Sequence, residues 1–512
     1  MLQTLINQIF NHKKLSSLIL GSIAVLALPP YHIFPILFIS FTLLLLIMDK
    51  AETAKASFAA GYWFGFGFFG FGLSWVGNAL LVEPLKFGWL YPICLIAGGA
   101  FFGLFTAIPT LLCYPFKKLK AKYFAFPAFW ILSEILRSFI FTGFPWNLLG
   151  SVMAFNTTAL QTASLIGTYG LSLLVILLTS APALYFKYRT QTSIYASLGI
   201  IIGLSCFIFA FGEFRLKAYP DGGASETILR FVQPSIPQSM KWDKGELENN
   251  LKQYISLSQT EGLEKTDFVL WGETASAFAL DMEDEYRNMV TAAIPENGYL
   301  VTGLVRYKFD NYDYYQPMNS MFVLNKNGDI ENYYDKTHLV PFGEYIPFRR
   351  YLPKWVRPIT NTIANFKAGT GHKNIKIGNH PGFGALICYE IIFPAEVVNE
   401  ENKPDWLINL TNDGWYGESS GPYQHLTSAR LRAVEEGITI ARTANSGISA
   451  LISRTGEIID SIPLNETGIK DIPLPQNLSM PTLYGKYRNI IPLTLALLNI
   501  CLAFFLTKNT TK

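Results

Sequence analysis

The 512-residue sequence predicts a membrane α-helical bundle, with about eight transmembrane helices, joined to an exterior α/β domain. Three observations support this prediction. Half of the residues are hydrophobic and only 15 % are charged, which is too apolar for an ordinary soluble protein of this size. Uncharged stretches crowd residues 15–212 and recur at 489–507, and roughly 20 apolar residues span a bilayer. The interval between them resembles a soluble α/β protein in its alternation of elements.

Seven spans are predicted before this interval and one after it. Lys13 and Lys14 precede the first span as in a signal peptide, but "ALPPYHIFP" offers no small-residue cleavage site, so we interpret the segment as an uncleaved span. The seven centre on "LSSLILGSIAVLAL", "FPILFISFTLLLLIM", "SFAAGYWFGFGFFGFGLSWV", "GWLYPICLIAGGAFFGLFTAIPTLLCY", "YFAFPAFWILSEILRSFIF", "LQTASLIGTYGLSLLVILLTSAPALYF" and "SIYASLGIIIGLSCFIFAF".

Basic residues predict the orientation, because short cytoplasmic loops carry the excess of Lys and Arg. The loop "TGFPWNLLGSVMAFNTTALQ", on the other side, has no charge. The amino terminus is therefore expected in the cytoplasm and the long interval outside, which in a bacterium means a multi-pass inner-membrane protein with a periplasmic domain. The net charge of +3 gives no reason to expect nucleic acid. The basic residues that set this orientation are Lys13, Lys14, Lys117, Lys118, Lys120, Lys122, Lys187 and Arg189.

These patterns divide the chain into three parts. Residues 1–218 are predicted to form the membrane domain with seven helices, residues 219–484 the catalytic domain, and residues 485–512 the eighth helix and a cytoplasmic tail. Within 219–484, strand and helix patterns alternate. The predicted strands are "ETILRFVQPSI", "TDFVLWGET", "GYLVTGLVRY", two strands about Asn327-Gly328, "FGALICYEI", "DWLINLTND", "ITIARTANSG", "SALISRT" and "EIIDSI".

Cysteine usage singles out Cys388. The other four cysteines lie in predicted spans, where a thiol usually behaves as a small apolar group. A lone thiol in an oxidising compartment has no disulfide partner, so its presence calls for another reason. A buried structural thiol is the alternative interpretation.

Three predicted strand ends carry reactive groups. Glu273 closes the strand in "DFVLWGET", Lys336 the one in "ENYYDKTHLVPFGEYIPF", and Cys388 the one in "GALICYE", at separations of 63 and 52 residues. An ammonium favours a thiolate and a carboxylate can accept the thiol proton. The same ammonium can stabilise an oxyanion on an attacked carbonyl. Glutamate, lysine and cysteine are thus sufficient for acyl transfer through a thioester.

Five ordered blocks resemble the nitrilase, or carbon-nitrogen hydrolase, superfamily: "VLWGETA", "YYDKTHLVPFGEYIPF", "ICYEIIFP", "LTNDGWYG" and "RAVEEGITIARTANSGISA". The resemblance implies an αββα sandwich with a Glu-Lys-Cys triad. Eight spans around one such domain are similar, over the whole chain, to the bacterial apolipoprotein N-acyltransferase family. That similarity implies transfer of a fatty acyl chain from a phospholipid donor to the α-amine of a diacylglyceryl-modified apolipoprotein, without cofactor or metal.

The same resemblance assigns residue roles. Glu273 would be the base, Lys336 the oxyanion partner and Cys388 the acylated nucleophile. Glu344, in "FGEYIPF", matches an additional glutamate of the family. The supporting positions that also match are Tyr389, Glu390, Trp242 and Asn319.

Two other function classes stay open from the sequence. A membrane-tethered amidase or nitrilase would use the same triad, and a non-catalytic transporter or receptor would need only the spans and a binding domain. Three features are also open. "GFGFFG" at 65–70 fits the dinucleotide-binding pattern G-x-G-x-x-G, but it lies inside an apolar span without a preceding strand, so helix packing is the preferred interpretation. Glu134 and Arg137 are interpreted as a head-group site or a mutually neutralising pair, and residues 350–366 as a surface loop or an interfacial lid.

Overall fold

The computed structural model describes residues 10–309, 315–351 and 365–508. Contacts divide the chain into two compact units. The first comprises residues 1–77, 85–218 and 482–512, and the second comprises 78–84 and 219–481. The segment proposed from the sequence as a lid, residues 350–366, lies mostly outside the described residues.

The first unit is helical. Each of the eight spans expected from the sequence overlaps at least one of its helices. The α-helices of this unit are Lys13–Ala24, Ile36–Asp49, Ala54–Gly72, Pro84–Phe87, Tyr91–Leu112, Leu119–Arg137, Thr157–Leu160, Ala163–Ser180, Pro182–Tyr188, Gln191–Ala218, Leu483–Tyr487 and Ile490–Lys508.

Four helical stretches of the described chain are long and apolar enough to cross a membrane, and a fifth is a pair bent by 42°. The helices Lys13–Ala24 and Ile36–Asp49 have 12 and 14 residues. At 1.5 Å per residue they measure about 18 and 21 Å, less than the roughly 30 Å of a hydrocarbon core. The count of eight spans stays a prediction. The four stretches are Pro84–Leu112, Ala163–Tyr188, Gln191–Ala218 and Ile490–Lys508, and the bent pair is Ala54–Gly72 with Ser74–Leu81.

The glycines of "GFGFFG" pack one helix against another. A Cβ on Gly65 would lie 1.8 Å from Thr106 Oγ1 and 2.9 Å from the Cα of Gly103. Thr106 Oγ1 also donates to the Gly61 carbonyl across the same contact at 2.8 Å. This close approach confirms the interpretation of the motif as small-residue helix packing.

Glu134 and Arg137 each bind the backbone of the uncharged loop that follows their helix. Glu134 Oε1 accepts from Leu149 N at 2.8 Å, and Arg137 Nη1 donates to the carbonyls of Phe144 and Trp146 at 2.5 and 2.7 Å. Both side chains are buried. These contacts support a structural role, in which the two charges hold the loop against its helix.

The second unit contains two six-stranded sheets with the same pattern of directions. The strands are β1 Ala224–Gln233, β2 Phe268–Leu270, β3 Tyr299–Phe309, β4 Tyr315–Leu324, β5 Ile330–Asp335, β6 Asn374–Ile375, β7 Phe383–Ile387, β8 Trp406–Thr411, β9 Thr439–Ala444, β10 Ser449–Ile452, β11 Ile458–Ile462 and β12 Gly468–Pro475. The first sheet has the order β12-β1-β2-β3-β4-β5, and its pairs β1-β2 and β2-β3 are parallel. The second has the order β6-β7-β8-β9-β10-β11, and its pairs β7-β8 and β8-β9 are parallel.

The two sheets face each other across one apolar core. Alternate residues of both sheets enter it, as period-two strands require, including Phe231, Leu270, Phe383 and Ile408. The outer face of the first sheet packs on the helices Leu247–Ser258 and Asp284–Val290, and the helix Ser420–Glu436 packs on β9 and β10. The layers are therefore α, β, β and α, which confirms the nitrilase-like sandwich expected from the sequence.

Two strands were not predicted. β6 has only two residues, and β12 contains Pro473 and Pro475, which argue against a central strand. β12 lies at the edge of its sheet and pairs only with β1, where a proline can be accommodated. Its edge position explains why the sequence pattern did not reveal it.

Candidate functional site

The three residues of the expected triad lie at carboxyl ends of strands in the two facing sheets. Glu273 comes three residues after β2, Lys336 directly after β5, and Cys388 directly after β7. β2 and β5 run in the same direction, because β3 is parallel to β2 and two antiparallel steps lead from β3 to β5. Glu273 N donates to the carbonyl of Thr411, at the end of β8, at 3.2 Å. This bond joins the two strand edges at the site.

A buried lysine lies between two glutamates. Lys336 Nζ is 3.3 Å from Glu273 Oε1 and 3.0 Å from Glu344 Oε1. Asn319 Nδ2 donates to the same two oxygens, at 2.7 Å each. Burial alone would lower the pKa of Lys336, but the carboxylates of Glu344 and Glu273 raise it above its ordinary value. The side chain therefore stays an ammonium ion.

Cys388 occupies a sharp turn. Its φ of 50° is in the left-handed region, which is uncommon for a residue with a Cβ, and it begins a short 3-10 helix, Cys388–Ile392. Burial raises the pKa of the Cys388 thiol, the Glu273 carboxylate raises it further, and the Lys336 ammonium opposes them. The resting thiol is therefore protonated and needs a base to become a nucleophile.

Glu390 joins the turn at Cys388 to the residue that follows Lys336. Its Oε2 accepts from Ile387 N at 2.7 Å. Its Oε1 accepts from Thr337 N at 2.7 Å and from Thr337 Oγ1 at 2.8 Å. Glu390 is only 1 % exposed, so its carboxylate is removed from water and depends on these bonds. Glu390 thus fixes two strand ends relative to each other.

Two tyrosines complete this region. Tyr334 donates to Glu390 Oε1 at 2.7 Å. Burial and the negative charge of Glu390 raise the pKa of Tyr334 well above its ordinary value, so this hydroxyl remains a donor. Tyr389 is buried with its ring 5.2 Å from that of Phe393 and 5.8 Å from that of His338. Tyr389 therefore packs against aromatic rings next to the turn at Cys388.

Glu390→Gln should weaken the site without removing a reacting group. A glutamine side chain has only one oxygen that can accept hydrogen bonds. Its NH2 group would therefore face a backbone N–H that now donates to an oxygen of the Glu390 carboxylate. We expect a loss of roughly 1–3 kcal/mol in the free energy of unfolding, measured by denaturant titration. Glu331, an exposed glutamate that also accepts a hydrogen bond, gives the control Glu331→Gln. Equal effects of the two substitutions would contradict this role.

Gly303 gives the backbone of Glu273 the space it occupies. A Cβ on Gly303 would lie 2.5 Å from Thr274 N and 2.8 Å from the Cα of Glu273. Gly303→Ala should therefore displace the carboxylate and lower kcat/KM by about tenfold or more, since a shift of about 1 Å can cost about 10²-fold. Gly468→Ala is the control, because its Cβ would meet nothing within 4 Å. Unchanged activity in Gly303→Ala would show that the backbone of Glu273 can move without consequence.

A second buried network supports the carbonyl of Cys388. His425 Nε2 lies 3.2 Å from this carbonyl oxygen, and His425 Nδ1 lies 2.8 Å from Asp413 Oδ1. Arg442 Nη2 donates to Asp413 Oδ2 at 2.5 Å, and Arg442 Nη1 donates to Asn409 Oδ1 at 3.0 Å. The network stabilises the strained turn from beneath.

The possible metal ligands in this network are better explained as hydrogen-bonding groups. One potential ligand atom from each of Cys388, Asp413 and His425 lies within 4.8 Å of the others. The guanidinium of Arg442 is bound to the same carboxylate and opposes a further cation there. We therefore assign these groups to positioning of the turn.

Lys241 is a site residue that the sequence reasoning missed. Its Nζ donates to the carbonyl of Glu273 at 2.9 Å, and only 5 % of the residue is exposed. Trp242, which was expected to contribute, is 42 % exposed and lies outside the buried cluster. The signal for Lys241 was its position after β1, since β1 is parallel to β2 and their carboxyl ends share an edge. Asp413 could have been found in the same way, because it follows β8, which is parallel to the strand β7 that ends at Cys388.

Family models match both parts of the chain. The model described as "Apolipoprotein N-acyltransferase N-terminal domain" matches residues 20–181, and the model described as "Carbon-nitrogen hydrolase" matches residues 229–478. A protein named apolipoprotein N-acyltransferase from Rhodopseudomonas palustris is 34 % identical, over 92 % of this chain and 90 % of its own. One of the same name from Rickettsia prowazekii is 35 % identical, over 93 % of this chain and 95 % of its own.

Solved structures that resemble this protein cover about half of the chain. A mutant amidase of the nitrilase superfamily from Nesterenkonia has 16 % identity and a TM-score of 0.38, over 52 % of this chain and 96 % of its own. A carbon-nitrogen hydrolase superfamily protein from Xanthomonas campestris has 18 % identity and a TM-score of 0.37, over 53 % of this chain and 97 % of its own.

Proposed function

Because this chain belongs to the apolipoprotein N-acyltransferase family, we propose that it transfers a fatty acyl chain from a phospholipid to the α-amine of a diacylglyceryl-modified apolipoprotein. The single observation that supports a catalytic role for the chain is the buried cluster at the strand ends. Glu273, Lys336 and Cys388 come from separate strands of two sheets, yet the first two charges act directly on the thiol of the third. A receptor or transporter has no need for this arrangement.

The first half-reaction forms an acyl-enzyme. Glu273 accepts the thiol proton as Cys388 Sγ attacks an ester carbonyl of the phospholipid. Lys336 stabilises the negative charge that develops on the carbonyl oxygen. The tetrahedral intermediate then collapses, the ester C–O bond breaks, and Glu273 returns the proton to the departing lysophospholipid oxygen. The acyl chain is left as a thioester on Cys388.

The second half-reaction uses the same base. Glu273 accepts a proton from the α-amine of the apolipoprotein as the amine nitrogen attacks the thioester carbonyl. The C–S bond breaks, an amide forms, and the thiol of Cys388 recovers a proton. No external energy source is required, because the thioester retains the acyl group in a reactive form. Exclusion of water favours transfer over hydrolysis.

Glu344 and Asn319 are proposed to keep Lys336 and Glu273 in place. Both contact Lys336 or its partner oxygens directly. Glu344 Oε2 also accepts from Val340 N at 2.7 Å, which fixes the loop after β5. Trp242 is proposed to contact substrate from its exposed position, and Tyr389 to shape the pocket beneath Cys388. These residues would position the reacting groups, and the triad would carry out the proton and acyl transfers.

We further propose the membrane arrangement expected from the sequence. Residues 1–218 and 485–512 would anchor the chain through eight spans in the bacterial inner membrane, and residues 219–484 would form the catalytic domain in the periplasm. The long apolar helices and the basic residues of the loops support this arrangement. It would give the catalytic domain access to two lipid substrates in one leaflet.

An assay with two substrates tests the proposed function. Purified protein is incubated with a phospholipid labelled in its acyl chain and with a diacylglyceryl lipopeptide that has a free α-amine. We expect a labelled amide on the lipopeptide together with lysophospholipid. Release of ammonia from a small amide, with no lipid label transferred, would instead identify a membrane-tethered amidase. Absence of both products would leave a non-catalytic binding protein.

A further inference from the structure

We propose that Lys241 is a positioning residue that supplies the second positive charge needed for Cys388 to become an anion. The proposal rests on the proposed use of Cys388 as the nucleophile. Lys241 lies after β1, holds the carbonyl of Glu273 through a hydrogen bond of 2.9 Å, and is almost completely buried. It therefore affects the reaction in two ways. Its hydrogen bond holds the backbone of Glu273, and its positive charge stabilises the anion of Cys388.

The charges around Cys388 explain why a second cation is needed. Glu273, Glu344 and Glu390 are buried and act on Lys336, which balances only one of these three carboxylates. Asp413, which also faces the thiol, is paired with Arg442. Ionisation of the thiol would add another negative charge in the same low-dielectric region. Lys241 brings the cluster closer to neutrality before the thiolate forms.

The hydrogen bonding of Lys241 points to an electrostatic role. An ammonium has three donors, and in the described part of the chain its side chain makes one hydrogen bond, to the Glu273 carbonyl. No carboxylate of the described residues lies within ion-pair distance of its nitrogen, unlike Lys336 with its two glutamates. A buried charge with so few partners is costly, so a purely structural lysine is a poor explanation for it.

The ionisable groups that face Lys241 are Glu273 and Cys388. Burial lowers the pKa of Lys241 to about 8, and the negative charges of Glu273 and ionised Cys388 oppose that decrease. The Cys388 thiol is in turn faced by Glu273, Lys336 and Asp413. Lys241 is thus protonated at neutral pH and loses its charge as the pH rises through about 8. Its support for the thiolate is present below that pH and disappears above it.

Alkylation of Cys388 by iodoacetamide tests this inference without any lipid substrate. The rate is followed by mass spectrometry as a function of pH in the full-length protein and in Lys241→Met, Lys241→Gln and Lys241→Arg. We expect the two neutral variants to be alkylated about tenfold more slowly at neutral pH, equivalent to a shift of about one pH unit in the thiol titration. Lys241→Arg should keep the original profile near neutrality. Lys244→Met, at an exposed position three residues away, is the matched control and should change nothing.

The unsubstituted protein provides a second readout that does not depend on how the variants fold. Its alkylation profile should flatten near pH 8, where Lys241 is deprotonated, and Lys241→Arg should continue to rise there. A single, unbroken titration in the unsubstituted protein, or neutral variants with unchanged profiles, would overturn the inference. Shifted alkylation profiles without acyl transfer would instead count against the proposed function alone.

Discussion

Cys388→Ala should abolish acyl transfer to the lipopeptide and eliminate covalent acyl labelling of the protein. The substitution removes the sulfur that is proposed to form the thioester, and the proposed mechanism gives no other group at the site the role of nucleophile. We expect a loss of at least about 10³-fold in kcat, the scale seen when a catalytic nucleophile is deleted. The measurement is formation of labelled N-acyl lipopeptide from labelled phospholipid.

The fold should tolerate this change, since the sulfur is a small part of a large shared core. Cys206→Ala is the matched control, because Cys206 is an exposed thiol in the helical unit. It should retain full activity and full labelling. Substantial transfer by Cys388→Ala would mean that another residue carries the acyl group, or that the amine attacks the phospholipid directly.

Lys336→Met should be the second most damaging change, because it affects both activity and stability. Activity should fall by about 10²–10³-fold, the range measured when one oxyanion donor is removed. The substitution also leaves Glu273 and Glu344 buried side by side without their shared cation. We expect a loss of roughly 3–5 kcal/mol in the free energy of unfolding, as for other broken buried ion pairs.

Lys252 provides the contrasting control. Its ion pair with Glu248 lies on an exposed helix surface at 2.6 Å, so Lys252→Met should change the free energy of unfolding by less than about 1 kcal/mol. Activity should not change. If Lys336→Met retained activity while losing stability, Lys336 would be a structural cation and not the oxyanion partner.

The sequence predicted the framework of the site because strand ends are visible as local patterns. "DFVLWGET" and "FGALICYEI" each show a buried apolar run followed by a reactive residue, and β2 and β7 end within a few residues of those positions. β2 and β7 belong to different sheets, so strand order alone could not predict that Glu273 and Cys388 lie close together. That expectation came from the resemblance of the ordered motifs to a known superfamily. The αββα layers followed from the resemblance of the ordered motifs to a known superfamily.

Other contacts of the site were not predicted from the sequence. Lys241 and His425 meet the site only through tertiary contacts across loops and the second sheet. Glu134 and Arg137 show the same limitation, since their three-residue spacing suggested a shared helix face while their partners are backbone groups of the following loop. The edge strand β12 escaped detection because its prolines oppose the usual strand pattern.

A thioester at Cys388 is the central intermediate of the proposed mechanism. Mass spectrometry of the protein after incubation with phospholipid alone should find one fatty acyl chain on the peptide that contains Cys388. Hydroxylamine should remove this chain, and the amine of a diacylglyceryl lipopeptide should accept it as an amide. An acyl chain on a different residue, or full transfer to the lipopeptide with Cys388 never modified, would contradict the proposed mechanism.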